Sequence, residues 1–132
     1  MIPPWRFSRQ SIGSGHVLWY DQDMADRFIL SHIQRLPMLS RCNDVQLEAM
    51  ATAFHERNYR TGEMLYREGE DSHALYLLVN GGAQLYRSGQ PQGAVTPGQY
   101  IGEASLYSPA ARDSTAVITI DSVVLFLTRN DL

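Results

Sequence analysis

Cysteine is almost missing from this chain: Cys42 is the only one among 132 residues. A lone thiol excludes an internal disulfide and any metal site built on four cysteines. A reducing, cytoplasmic setting fits. Beside a helix start, Cys42 reads as a buried or idle thiol rather than an activated one. No apolar run approaches the ~20 residues that a membrane-spanning helix needs. The opening Met1-Ile2-Pro3-Pro4-Trp5-Arg6 lacks the basic and then apolar blocks of a secretion signal. Charge is modest too, at 19% of residues with a net of −3. That balance gives no general pull toward nucleic acid, although a local basic patch stays open. Catalytic and metal motifs are equally scarce. His16, His32, His55 and His73 lie far apart, and no His-x-His pair occurs. His32, on an apolar helix face, reads as a packed residue. His55-Glu56-Arg57-Asn58-Tyr59 begins like a zinc-protease helix, but Tyr59 stands where the second histidine belongs. There is no Gly-x-x-x-x-Gly-Lys phosphate loop and no identifiable nucleophile–base pair. Neither an enzyme nor a bound metal or cofactor is expected.

What is present describes one soluble domain. A hydrophobic fraction of 44% over 132 residues supports a single core and is too little chain for two. Residues 1–20 show no period, and Pro3-Pro4 and Gly13-Ser14-Gly15 interrupt any helix. The aromatic content there, with Trp5, Phe7, Trp19 and Tyr20, predicts a segment lying against the domain or a partner, or equally the tail end of a preceding unit. From 21 to 56 the pattern is helical. Ala25, Phe28, Ile29, His32, Ile33 and Leu36 recur at helical spacing, with Asp21 or Asp23 as cap and Pro37 as stop. Met38-Leu39-Ser40 make a turn. A second helix follows Asn43 or Asp44, with Leu47, Met50, Ala51 and Phe54 on one face.

From 57 to 132 the period becomes that of strands. Met64 to Tyr66, Leu75 to Val79, Ala83 to Tyr86, Val117 to Ile120 and Val123 to Leu127 are short apolar runs. Glycine-rich and polar turns separate them, including Asn80-Gly81-Gly82 and Asp121-Ser122. The expected architecture is α+β and mainly β: an antiparallel β-roll, jelly-roll-like, behind an N-terminal helical pair. Arg129-Asn130-Asp131-Leu132 reads as the start of a further helix.

One stretch carries chemistry. Ile101-Gly102-Glu103-Ala104-Ser105-Leu106 is followed, after a loop, by Ala111-Arg112-Asp113-Ser114-Thr115. Gly102 lets backbone approach a ligand closely. The amides behind it, at a turn and helix start, favour phosphate. Arg112 offers a planar fork that matches two phosphate oxygens. Glu103 would be repelled by phosphate, so its partner is a sugar hydroxyl or Arg112 itself.

This pattern resembles the phosphate-binding cassette of the cyclic nucleotide-binding domain family, the sensor module of catabolite activator protein and of protein kinase A regulatory subunits. The resemblance extends upstream through Arg60-Thr61-Gly62-Glu63, Arg67-Glu68-Gly69-Glu70 and Leu75-Tyr76-Leu77-Leu78-Val79-Asn80-Gly81, and covers about Leu36 to Leu132. It implies a ligand, cAMP or cGMP, with cAMP favoured. Arg112 would hold the phosphate, Glu103 the ribose 2′-hydroxyl, and Gly102, Ala104 and Ser105 would supply amides. Ser114 and Thr115 stand where small residues follow the family's arginine. Asp113 departs from the pattern, because a carboxylate beside phosphate repels it.

The resemblance also implies an attached output domain or homodimer as partner, and a lid helix beyond the last strand that the chain stops before. Two alternatives remain: a ligand-free domain of the same fold serving protein interaction, and the sensor half of a transcription regulator.

Overall fold

The computed structural model describes residues 22–106 and 110–131. The expectation for residues 1–20 lies outside them. The chain divides into two compact units, Met1–Thr52 and Ala53–Leu132.

In the first unit, α1 spans Gln22–Ile33 and α2 spans Asp44–Ala53, with a 3₁₀ turn at Pro37–Leu39 between them. Ala25, Ile29 and Ile33 repeat at four-residue spacing along α1 and are buried, as is Leu36 beyond its end. Asn43, not Asp44, caps α2. Its Oδ1 accepts from the Gln46 amide at 2.8 Å, and Gln46 Oε1 accepts from the Asn43 amide at 3.0 Å. This reciprocal pair satisfies two of the helix's orphan donors.

The second unit is antiparallel β throughout its described strands. They are β1 His55–Tyr59, β2 Met64–Tyr66, β3 Asp71–Ser72, β4 Ala74–Arg87, β5 Gln90–Val95, β6 Tyr100–Ile101, β7 Ala110–Ala111 and β8 Thr115–Thr128. The main sheet runs β1-β8-β4-β5, with β2 also on β8 and β6 on β4. A second, two-stranded sheet joins β3 to β7. The long β4–β8 ladder pairs Ala74 with Thr128 at one end and Tyr86 with Thr115 at the other. Tyr59, Leu78, Ala83, Val95, Ile118 and Val124 form a buried cluster. At the β4–β5 hairpin, Ser88 (φ 51°) and Gly89 (φ 79°) supply the two positive φ angles of a two-residue turn.

Three expectations change. His55 and Glu56 belong to a strand, not to the helical region, because α2 ends at Ala53. Asn80-Gly81-Gly82 and Asp121-Ser122 are not turns between strands. They face each other as an irregularity inside the continuous β4–β8 ladder, where the register shifts between Leu78 and Ala83. Gly81 sits at φ 94° with the Asp121 carbonyl 2.7 Å from where a Cβ would stand, so a side chain does not fit there. Arg129–Asp131 form a 3₁₀ turn, where the helix start was expected.

Candidate functional site

Arg112 follows β7 directly, and its backbone is tied on both sides. Its amide donates to the Glu70 carbonyl and its carbonyl accepts from the Gly69 amide, each at 2.8 Å. The Arg67–Glu70 turn that provides these partners is itself closed by the Glu70 side chain, which accepts from the Arg67 amide at 2.6 Å. The Arg112 side chain is thereby directed inward and buried, with 8% of the residue exposed.

Nη2 donates to the Ala74 carbonyl at 2.7 Å. The guanidinium carbon lies 4.1 Å from the Tyr66 ring centroid and 5.6 Å from that of Tyr76. Both are within cation–π range. Nε is buried and finds no acceptor among the described residues. A buried cation with an unspent donor is costly unless something anionic or polar meets it. Burial pushes the Tyr76 phenol above its usual pKa, and the nearby Arg112 charge opposes that rise.

Gly102 makes this placement possible. At φ 87° it occupies the left-handed region, and an added Cβ would lie 2.6 Å from Arg112 Nη1 and 2.7 Å from the Ala74 oxygen. The arginine thus passes over bare backbone.

A cleft of about 320 Å³ opens here, lined by Gly102, Ser105, Arg112, Asp113 and Ser114 together with Tyr66, Ser72, Leu85, Ile101 and Ala110–Ala111. Glu103 and Thr115 are not part of that lining. Thr115 Oγ1 accepts from the Glu68 amide at 2.9 Å, which uses it in the strand start. Glu103 is half-buried in the 3₁₀ turn Glu103–Leu106. That turn is four residues long and contributes little dipole. The Ser105 amide donates back to the Gly102 carbonyl at 3.0 Å. Asp113 is exposed at the rim. Ser114 is buried and Ser105 pairs its hydroxyl with that of Ser72.

Sequence reasoning missed Tyr66, Ser72 and above all Arg129. The Arg129 fork donates to the Ser105 carbonyl from Nε (3.1 Å) and Nη2 (2.8 Å), and from Nη2 to the Ser72 carbonyl (2.7 Å). It ties the two cleft-floor segments together from behind. Its partners lie 24 and 57 residues away in sequence, so no local pattern announces them.

A family model, that of the cyclic nucleotide-binding domain, matches residues 56–132, more than half of the chain. The chain belongs to this family. Such a domain is a regulatory module rather than a catalytic one. Among curated proteins, it is 24% identical over 104 residues to a cAMP-dependent protein kinase regulatory subunit of Hypocrea atroviridis, covering 79% of this chain and 22% of that one. It is 31% identical over 91 residues to a cyclic AMP receptor protein of Thermus thermophilus, covering 65% of this chain and 42% of that one. The matched segment thus covers about a fifth of the first relative and about two fifths of the second. Among solved structures, the N-terminal domain of a transcriptional regulator from Streptomyces coelicolor A3(2) superposes with a TM-score of 0.71 at 27% identity, over 76% of this chain and 75% of that one. Among the described residues, no helix is long and apolar enough to cross a membrane, and no group of three or more His, Cys, Asp or Glu side chains is arranged to hold a metal ion.

Proposed function

We propose that this cyclic nucleotide-binding domain senses a 3′,5′-cyclic nucleotide, cAMP ahead of cGMP, and reports its occupancy to an attached output domain. The observation that carries the reading is Arg112: a buried guanidinium, held at Nη2 by the Ala74 carbonyl and without an acceptor at Nε among the described residues, on a residue that lines the cleft. Its fork takes the cyclic phosphate. Ser114 and Tyr66 line the same cleft. An adjoining cleft of about 430 Å³ shares Leu85 and Ile101 and continues over Val95, Gly98 and Tyr100. It offers a purine an apolar surface. The relatives named for cAMP support that choice of base. Ligand stabilises whichever conformation completes the cleft, and an output domain that favours the same conformation is shifted with it. In this reading the module is not an enzyme, works in the cytoplasm and needs no cofactor.

Isothermal titration with cAMP and cGMP tests it. Saturable binding in the wild type is expected. Replacing Arg112 by Gln should weaken binding by about 30-fold or more, the equivalent of at least ~2 kcal/mol. Absence of binding at millimolar nucleotide refutes the reading.

Asp113 favours a second reading. Its carboxylate lines the same cleft and repels a phosphate, so a domain that has exchanged ligand binding for protein interaction or dimerisation is the alternative. A dimer in sedimentation that ignores both nucleotides supports that alternative.

A further inference from the structure

The Arg112 guanidinium is fixed by one directional hydrogen bond, from Nη2 to the Ala74 carbonyl. A single bond sets where one nitrogen sits but leaves the plane free to turn about it. The second constraint is the face of Tyr66, whose centroid lies 4.1 Å from the guanidinium carbon. Tyr76 is farther off at 5.6 Å and contributes less.

Tyr66 and Arg112 also share a rigid mounting. Tyr66 ends β2 and pairs across with Ala116, which is fully buried. Three residues on, Gly69 and Glu70 bond to both sides of the Arg112 backbone. The ring and the cation are therefore carried on adjoining, hydrogen-bonded segments.

We propose that Tyr66 is a positioning residue for Arg112, its ring holding the guanidinium plane in one orientation where Arg112 lines the cleft. An anion entering the cleft then meets a fork already oriented, and the ordering of the arginine is not charged against binding. The role belongs to the ring and not to the phenol. It is an addition to the cyclic-nucleotide reading and its affinity arm rests on that reading.

The test separates the two. Tyr66→Phe and Tyr66→Leu are compared with wild type by cAMP titration, with Tyr66→Met replacing the Leu variant if that variant does not fold. The Phe variant should bind within about 2-fold of wild type. The Leu variant should lose about 5- to 30-fold, as expected for a partly desolvated cation–π contact. Independently of any nucleotide, the Arg112 Nε–Hε signal in nitrogen-15 NMR of the free protein, assigned by its loss in Arg112→Lys, should be displaced upfield by the ring. It should keep that displacement in Phe and lose it in Leu. An Hε signal indifferent to the Leu change overturns the proposal, whether or not the wild type binds nucleotide. So does a Phe variant as weak as the Leu variant, which would assign the contact to the hydroxyl. A wild type that binds no nucleotide, yet shows the ring-dependent Hε shift, removes the sensor reading and leaves the positioning role standing.

Discussion

Gly102→Ala is the substitution on which the site geometry makes its sharpest claim. At φ 87° any L-residue bears a left-handed penalty, about 1–2 kcal/mol. The new Cβ also meets two atoms that do not retreat easily. The Ala74 oxygen, 2.7 Å away, is backbone of a central strand. Arg112 Nη1, 2.6 Å away, ends a side chain held at Nη2 and covered by Tyr66. Relief requires breaking the charged bond to Ala74, which adds about 1.5–3 kcal/mol. The total is about 3–5 kcal/mol. Gly62 is the control. It has nearly the same φ, 92°, with nothing within 4 Å of its added Cβ. Gly62→Ala should therefore cost only the backbone term. Urea unfolding followed by circular dichroism should separate the two variants by about 2 kcal/mol, with Gly102→Ala also losing nucleotide affinity. Equal stabilities for both variants would show that the contact around Gly102 is not what the geometry states.

Asp113→Ala should tighten cAMP binding by about 5- to 50-fold at low salt, the gain shrinking as salt screens this exposed charge; no change in calorimetry at low salt would show that Asp113 turns away from the ligand. Arg129→Met should weaken cAMP binding by about 10-fold or more by releasing the Ser105 and Ser72 carbonyls, a loss read by the same titration and absent if the cleft floor stands without the clamp. Burial pushes the Asp131 carboxyl upward, but hydrogen bonds from the Thr128 amide and hydroxyl and from His55 outweigh this and hold it below the usual range. A lowered folded-state pKa stabilises above the unfolded value and is lost as pH falls through the folded one. Asp131→Ala should thus cost about 1–2 kcal/mol at pH 7, and thermal melts of variant and wild type should converge below about pH 4; a gap that stays constant down to pH 3 would refute the assignment.

How much of this could be read from residues alone depends on the range of each interaction. The helical pair was legible because Ala25, Ile29 and Ile33 repeat at fixed spacing, and the Asn43–Gln46 cap is three residues wide. Most of β2, β4 and β8 was legible as apolar runs between turn residues. The split of β4 and β8 into halves was not. Asn80-Gly81-Gly82 and Asp121-Ser122 carry turn chemistry, but they sit opposite each other, and an irregular ladder absorbs both. β5 went unseen because Gln90-Pro91-Gln92-Gly93 is polar and exposed, which suits an edge strand and gives no hydrophobic signal. In the cleft, Gly102 and Arg112 were legible as a spaced motif. Ser105 kept its place there but spends its amide and hydroxyl within the protein. Tyr66 and Arg129 act across the fold, and neither spacing nor composition marks them.

The cleft is better described by what remains unsatisfied than by what is bound. Arg112 is nine-tenths buried, and such a cation normally answers its desolvation with a carboxylate. Among the described residues none comes within ion-pair distance. Glu103, the motif's other carboxylate, stands outside the cleft lining, and Asp113, next to Arg112 in sequence, lies exposed at the rim. One carbonyl and two aromatic faces hold the guanidinium instead. These are weak acceptors that fix orientation without neutralising charge. A purely structural arginine gains stability by closing an ion pair inside the protein. This one is oriented and desolvated by one carbonyl and two aromatic faces, with no carboxylate paired to it among the described residues, and the proposed phosphate ligand would complete it.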